Sequence, residues 1–274
     1  MNFGLFQRAF REIFWTTLIF AAITGAISGL LAYALPRVQQ RFMSRSFIPP
    51  GVREFRNALF GFDGTGAKIS DVAFALAWSH PIILALISAH AIMVCTRILA
   101  SEVERGTVDI LMSMPASRWK LYLSETAAWL TSAAILLGSV YAGSWIGAQN
   151  IAEELRPDFS RLLIVLANLA LVYLLVGVIA SAAAIWSDRR VRAVLFALVI
   201  TVFSILINFL YTLDPALEFT KRLRFLSFLE YYKPIQALMD NAVPWRNMGI
   251  LGGLTLTLWV AAGVWLSRRD VTTT

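Results

Sequence analysis

Charge is scarce in this chain. Only 15% of its 274 residues are Asp, Glu, Lys or Arg, against 58% apolar residues, where an ordinary soluble domain carries about 25% charge. The few charges cluster between long uncharged stretches, which excludes a water-soluble globule. Six windows of at least ~18 apolar residues, the length needed to cross a bilayer, lie at roughly 13–35, 72–96, 126–148, 162–186, 193–212 and 248–267. Lipid obliges such segments to satisfy their own backbone hydrogen bonds. The expected fold is therefore an all-α membrane protein of six transmembrane helices, one domain spanning residues 1–274, with no linker, low-complexity tract or clear internal repeat.

Ionisable residues are also missing where an ion-driven transporter needs them. No Asp, Glu, Lys or Arg lies within the six windows away from their ends, and a proton or sodium relay has to be built from such groups. Energy for transport must come from elsewhere, or none is used. A phosphate-binding loop is absent too. The nearest approach, GFDGTGAKIS from Gly61 to Ser70, has Gly61 and Gly66 at the right separation but Ala67 where lysine should follow, and no strand precedes it. If ATP drives this protein, another chain binds it. A nucleophile with its base, or a carboxylate pair near the bilayer, is not found, so an intramembrane enzyme has no catalytic machinery.

Cysteine and histidine are nearly absent. The single Cys95 lies in the second window and cannot form an intrachain disulfide. His90, Met93 and Cys95 suggest a soft-metal site, but helical spacing turns Cys95 away from the other two, and an interhelical hydrogen bond is the reading we adopt for His90. The intramembrane Asn168 and Asn208 carry the same pair of readings, interhelical bonding or substrate contact. The net charge of +7 forms no basic stripe with interleaved aromatics, and so indicates membrane-surface charge rather than nucleic acid.

What is present concerns orientation and surface. The short connection Ser187-Asp188-Arg189-Arg190-Val191-Arg192 and the tail Ser267-Arg268-Arg269-Asp270 are basic, whereas that around Glu153, Glu154 and Asp158 is not. Short basic loops stay cytoplasmic, which predicts both termini inside, although the total count of Lys and Arg does not show it, since the long outer loops hold many. Arg8 and Arg11 before the first window and Ala32-Tyr33-Ala34 after it imitate a signal peptide, but the apolar stretch exceeds the ~7–15 residues of a signal and predicts a retained anchor. Phe3, Phe6, Phe10, Ile13 and Phe14 recur at helical spacing opposite Gln7, Arg8 and Arg11, predicting a short interfacial helix before the chain turns inward. Val52, Phe55, Leu59 and Phe62 repeat the device in the first outer loop. In the last one, Asp214 and Pro215 open a helix and Leu223, Leu226 and Leu229 form an apolar stripe, so both loops are expected to lie on the lipid as lids. Gly25 with Gly29, and Gly143 with Gly147, have the GxxxG spacing that lets helices approach closely, within the subunit by our reading, with a dimer seam as the alternative.

One stretch is out of place. SEVERGTVDILMSMPASRWKLYLSE, Ser101 to Glu125, is compact and charged between two apolar runs. Glu102, Glu104 and Arg105 bring the chain out of the membrane, and Gly106 permits a sharp turn. Thr107 can cap a helix with Asp109 in its first turn. That helix shows Val108, Ile110, Leu111 and Met112, more apolar surface than two turns should offer to water, until Pro115 ends it and Ser117 caps the next helix. A helix so short is marginal alone and needs a groove to sit in.

This segment resembles the coupling region of the ABC-2 type of ABC transporter permease. The family's acidic residue, Glu-Arg-Gly-Thr, leucine-rich turn, Pro, small residue and Ser-Arg are matched at Glu102, Glu104, Arg105, Gly106, Thr107, Leu111, Pro115, Ser117 and Arg118. LRFLSFLEYYKPIQAL, Leu223 to Leu238, is similar to the family's outer segment before the last helix, and SRRDV, Ser267 to Val271, to its usual C-terminal end. Ser124-Glu125 departs from the Lys or Gly common before the third helix. The resemblance implies a permease without ATPase chemistry, paired with a second permease copy and with two cytoplasmic subunits that bind ATP and magnesium. The implied contact residues are Glu102, Glu104, Arg105, Gly106, Thr107, Val108, Ile110, Leu111, Met112, Pro115, Ser117 and Arg118. Among relatives of this layout is the nitrous-oxide reductase maturation permease. Drug, lipid and polysaccharide exporters share it, so the cargo stays open. A membrane scaffold that keeps the permease fold without moving a solute is the competing reading.

Overall fold

The computed structural model describes residues 2–44, 69–104, 117–153, 156–187, 189–213, 218–234, 237 and 243–268. Its helices are α1 (Phe3–Ser44), α2 (Ile69–Ser79), α3 (Pro81–Glu104), α4 (Arg118–Gln149), α5 (Phe159–Trp186), α6 (Arg190–Leu213), α7 (Glu218–Leu223) and α8 (Trp245–Arg268). Two 3-10 turns, Arg224–Leu226 and Phe228–Tyr231, follow α7, and no strand occurs among the described residues. Six helical stretches are long and apolar enough to cross a membrane, and they coincide one for one with the six windows read from the sequence, two of which overrun their stretch by one or two residues.

The second stretch differs from expectation by being broken. Pro81 has no N–H and biases the residue before it away from helix, so α2 stops at Ser79 and His80 bridges to α3. The His80 Nδ1 accepts from the Ile82 N–H at 3.3 Å, which caps α3 with Pro81 at its first position. The dipeptide His80-Pro81 carried this signal.

A second correction concerns the N-terminus. Phe3 to Phe14 do not form a separate interfacial helix; they are the first turns of the 42-residue α1, which runs unbroken into the first span. No Gly or Pro lies between Leu5 and Thr24 to break it. At 1.5 Å per residue α1 is about 63 Å long, twice the ~30 Å of hydrocarbon. Phe3, Phe6, Phe10 and Phe14 form a ring ladder with centroids 5.8–6.1 Å apart, while Ala9 and Ile13 are buried in the bundle.

The close contact between α1 and α4 organises the bundle. The two helices run parallel, with Gly25 and Gly29 of α1 against Gly143 and Gly147 of α4. A Cβ on Gly143 would stand 2.0 Å from the Gly25 carbonyl oxygen, and one on Gly147 would stand 2.2 Å from that of Gly29. Backbone meets backbone there, so only glycine fits. The GxxxG pairs are thus a seam inside one chain. Beside them the Ser28 hydroxyl donates to the Val140 carbonyl at 3.0 Å and lies 2.7 Å from Ser144 Oγ, which accepts from the Trp78 indole N–H at 2.8 Å. That last bond draws α2 onto the seam.

α5 is the central helix, and it packs against α3, α8 and α6. Phe74 meets Phe159, and His90 meets Tyr173, so the second span and α5 run parallel. α8 runs antiparallel to α4, since Arg118 reaches Leu266 while Thr126 reaches Trp259. Asn2, Arg118 and Ser267 consequently share one end of the bundle, here the near end, and Arg37, Asn150 and Phe159 share the far end. Several buried hydroxyls in the spans bond to their own helix, as in Thr17 to Ile13, Thr96 to Ile92, Thr126 to Tyr122 and Thr201 to Ala197.

Overpacking a tight contact costs about 1–3 kcal/mol. Gly143→Ala and Gly147→Ala should therefore lower the thermal unfolding temperature of the detergent-solubilised protein by several degrees. Gly138→Ala, on the same helix with nothing within 4 Å of its added Cβ, should leave it unchanged. Equal melting of all three variants would mean that the seam is not as drawn.

Candidate functional site

The near end carries the segment read as a contact for a partner. Residues 105–116 lie outside the described residues, and with them Arg105, Gly106, Thr107, Val108, Ile110, Leu111, Met112 and Pro115. Glu102 and Glu104 stand on the last turn of α3. Ser117 is the N-cap of α4, its hydroxyl accepting from the Lys120 N–H at 3.3 Å. The structure therefore places both flanks of the segment, each a helix end.

The start of α4 is gripped from two sides. On one side the Asn2 N–H donates to Ser124 Oγ at 3.0 Å, and the Ser124 hydroxyl has the Asn2 and Lys120 carbonyls within reach at 3.2 and 2.8 Å. Ser124, where the family's pattern has another residue, is thus fully buried against α1. On the other side Arg118 donates from Nη1 to the carbonyls of Leu266 and Ser267, both at 3.4 Å, a cation at the negative end of α8. Trp119, Tyr122 and Trp259 pack as a cluster with centroids 5.4–6.3 Å apart. The Tyr122 hydroxyl donates to the Trp259 carbonyl at 2.9 Å, and the Trp259 indole to Thr126 at 3.1 Å. Gly263 is required opposite this cluster, because a Cβ there would fall 2.6 Å from Trp119 and 2.9 Å from Tyr122. Arg118, named among the expected contact residues, holds the last span through these bonds.

Deeper in the bundle His90 is fully buried and ties three helices together. Its Nδ1 lies 3.0 Å from the Tyr173 hydroxyl on α5 and its Nε2 lies 3.3 Å from Thr17 Oγ1 on α1. Thr17 already donates to Ile13, so its oxygen accepts from Nε2–H while Tyr173 donates to Nδ1, a neutral imidazole with both nitrogens used. Met93 points outward, 41% exposed, and Cys95 packs against Gly177. The three do not converge, and among the described residues no group of three or more His, Cys, Asp or Glu is arranged to hold a metal.

The far end holds what the sequence reading missed. The segment after α7 does not lie on the lipid; it descends among α2, α5 and α6. Ser227 Oγ donates to the Ser204 carbonyl at 2.8 Å and the Phe228 N–H donates to Ser204 Oγ at 3.0 Å. Ser204 is nine residues before the end of α6, a depth of about 14 Å. Tyr232 donates to the Trp78 carbonyl at 3.4 Å, and Asn168 Nδ2 to the Tyr231 carbonyl at 3.4 Å. Asn168 thus serves this segment, and its Oδ1, also buried, has no hydrogen-bond partner among the described residues. Of the expected leucine stripe, Leu229 is buried while Leu226 is exposed. Glu230 accepts from Arg224 and from Lys233, the latter at 2.8 Å. Burial pushes its carboxyl up, but the hydrogen bonds from the two cations outweigh burial and hold it below the ordinary carboxylate value. The spacing of Arg224, Glu230 and Lys233 was the available signal.

The arrangement defines a multi-pass membrane protein with one built helix junction at its near end and a tucked connection at its far end. The family model of the ABC-2 family transporter proteins matches residues 11–271. The chain belongs to that family and is a transmembrane subunit of a transporter, a membership that implies separate ATP-binding partner subunits. No curated protein and no solved structure matches the chain.

Two measurements check the bonds described. Interhelical side-chain hydrogen bonds in membranes average about 0.6 kcal/mol and reach about 1.7 kcal/mol, so a double-mutant cycle of His90→Ala and Tyr173→Phe should give a coupling energy in that range. A metal role for His90 would appear instead as stoichiometric copper in the wild type that the variant loses. The depressed Glu230 carboxyl stabilises the fold fully above its ordinary value near 4.5 and loses that contribution as pH falls through the lower folded value. Glu230→Gln should therefore lower the melting temperature at pH 7, a loss of about 1.5–3 kcal/mol for bonds to a charged group, and the gap from wild type should shrink at pH 3.5.

Proposed function

We propose that this chain is the permease of an ABC exporter, driven by two cytoplasmic subunits that bind ATP and magnesium and paired with a second permease copy. It sits in the cytoplasmic membrane as a single domain of residues 1–274, with both termini and the near end facing the cytoplasm. Residues Thr107 to Met114 form the helix that docks into the ATPase. Val108, Ile110, Leu111 and Met112 are its apolar face, and Glu102, Glu104 and Arg105 its polar rim.

The observation that carries this reading is the grip on the start of α4. A displacement delivered to residues 105–116 enters α4 at Ser117, one residue before Arg118 grasps the end of α8 and seven before Ser124 joins α1. Because α1 meets α4 backbone to backbone at the glycines, the two cannot slide without breaking that contact. A push at the near end is therefore passed from α4 into α1 and α8, the entry that a rigid-body rocking of the kind that alternates access needs. Arg118 and Ser124 act as internal transmitters, and the partner contact ends before them.

One docked leucine is worth roughly 2 kcal/mol of burial. With the chain and its ATP-binding partner co-purified, Leu111→Ala combined with Glu104→Ala should leave membrane insertion intact and reduce complex recovery or ATPase stimulation about tenfold or more. The isolated chain should hydrolyse no ATP. Wild-type coupling in the double variant, or labelling from the outer face of a cysteine substituted for Asp109, would refute the docking assignment and leave the scaffold reading.

A further inference from the structure

A cavity of about 300 Å³ opens where α5 turns into α6, lined by Ala183, Trp186, Ser187, Arg192, Ala193 and Phe196. The turn is rigid. The Ser187 N–H bonds the Ala183 carbonyl at 3.0 Å, the Ser187 hydroxyl donates to the Arg189 carbonyl at 3.0 Å, and the Arg192 N–H closes on the same carbonyl at 3.1 Å. Arg190 is committed inward, donating to the Met93 carbonyl at 3.3 Å. Arg192 lines the opening and is exposed, and Arg189, three residues before it, is exposed as well. Asp188 lies outside the described residues.

The depth of the cavity is marked by tryptophan. Trp186 is 71% exposed and meets the half-exposed Trp265 of α8 edge-on at 6.5 Å. Exposed indoles on spanning helices sit at the level of the lipid headgroups. Below the guanidinium of Arg192 the same face of α6 continues with Phe196, Val199 and Phe203, at helical positions i+4, i+7 and i+11. All three are exposed, at 52%, 64% and 46%. The site therefore has a cationic rim at headgroup height, a pocket beneath it, and an apolar track leading into the hydrocarbon.

We propose that this cavity binds an anionic phospholipid of the surrounding leaflet, its phosphate on Arg192 and one acyl chain along Phe196, Val199 and Phe203. The cation of Arg192 at the opening favours a lipid of net negative charge over a zwitterionic one, whose ammonium group it repels, and the exposed Arg189 adds to the positive charge of the turn. The apolar track is what a free phosphate could not use. The site does not depend on the ATPase-coupling reading, since it stands on the α5–α6 turn and not on residues 101–125.

The full chain in detergent micelles, titrated with dioleoyl phosphatidylglycerol and read by native mass spectrometry, tests this. The first lipid should bind the wild type at least about fivefold more tightly than dioleoyl phosphatidylcholine. Arg192→Gln should lose about fivefold of that affinity, the effect of one arginine at a charged lipid surface, while Arg192→Lys should keep most of it and inorganic phosphate should not compete. Equal binding of the two lipids, unchanged binding by Arg192→Gln, or displacement by millimolar phosphate would each overturn the assignment, the last in favour of a simple anion site. Should Arg192→Gln fail to fold, a phosphatidylglycerol with a photoactivatable acyl chain decides on the wild type. Cross-links concentrated between Trp186 and Phe203 support the site, and a distribution spread evenly over all six spans refutes it.

Discussion

Backbone contact between α1 and α4 is the constraint on which the other helices depend. Lipid tails are as apolar as leucine, so no hydrophobic force drives spanning helices together, and close approach with interhelical hydrogen bonds must do it. Four glycines remove the side chains that would hold the two backbones apart, and Ser28, Ser144 and Trp78 exploit the closeness with a chain of short hydrogen bonds. Once α1 and α4 are one body, α2 is attached through Trp78, and α3 and α5 through His90, which bonds Thr17 and Tyr173 at once.

The same body reaches the near end of the bundle, where its stiffness matters for a transporter. α4 begins between the first residues of α1 and the last turn of α8, and the aromatic cluster of Trp119, Tyr122 and Trp259 leaves no room even for a methyl group at Gly263. A protein that is to be moved by a partner needs a place where force enters and a rigid path away from it. Helix ends joined by hydrogen bonds to main-chain carbonyls are such a path, because the carbonyls belong to the helix rather than to a rotatable side chain.

At the far end the chain solves a different difficulty. A connection that descends about 14 Å among apolar helices brings polar backbone with it, and each unsatisfied group there is costly. Ser204, Asn168 and Trp78 supply partners from three helices, and Glu230 pairs with both Arg224 and Lys233 within the segment itself. Ser204 in mid-span therefore has a use that an inspection of its own helix does not suggest.

The six spanning helices, the absence of charge within them and the family were all legible from the sequence. Each rests on local composition or on a contiguous motif, since a run of ~20 apolar residues has no other way to satisfy its backbone in lipid. The GxxxG spacings were legible as well, but not their pairing, because spacing says that a helix can be approached closely and not by which neighbour. Arg118 read as part of the docking contact, and Ser124 only as a departure from the family's pattern. Their partners, Leu266 and Asn2, are more than a hundred positions away and became visible only when α8 and α1 were brought alongside α4. The break at His80 and the unbroken start of α1 belong to an intermediate kind, carried by a proline present and by breakers missing. The tuck of the segment around Glu230 was decided by tertiary structure alone, because an amphipathic stretch reads alike whether its apolar face meets lipid or the grooves between three helices.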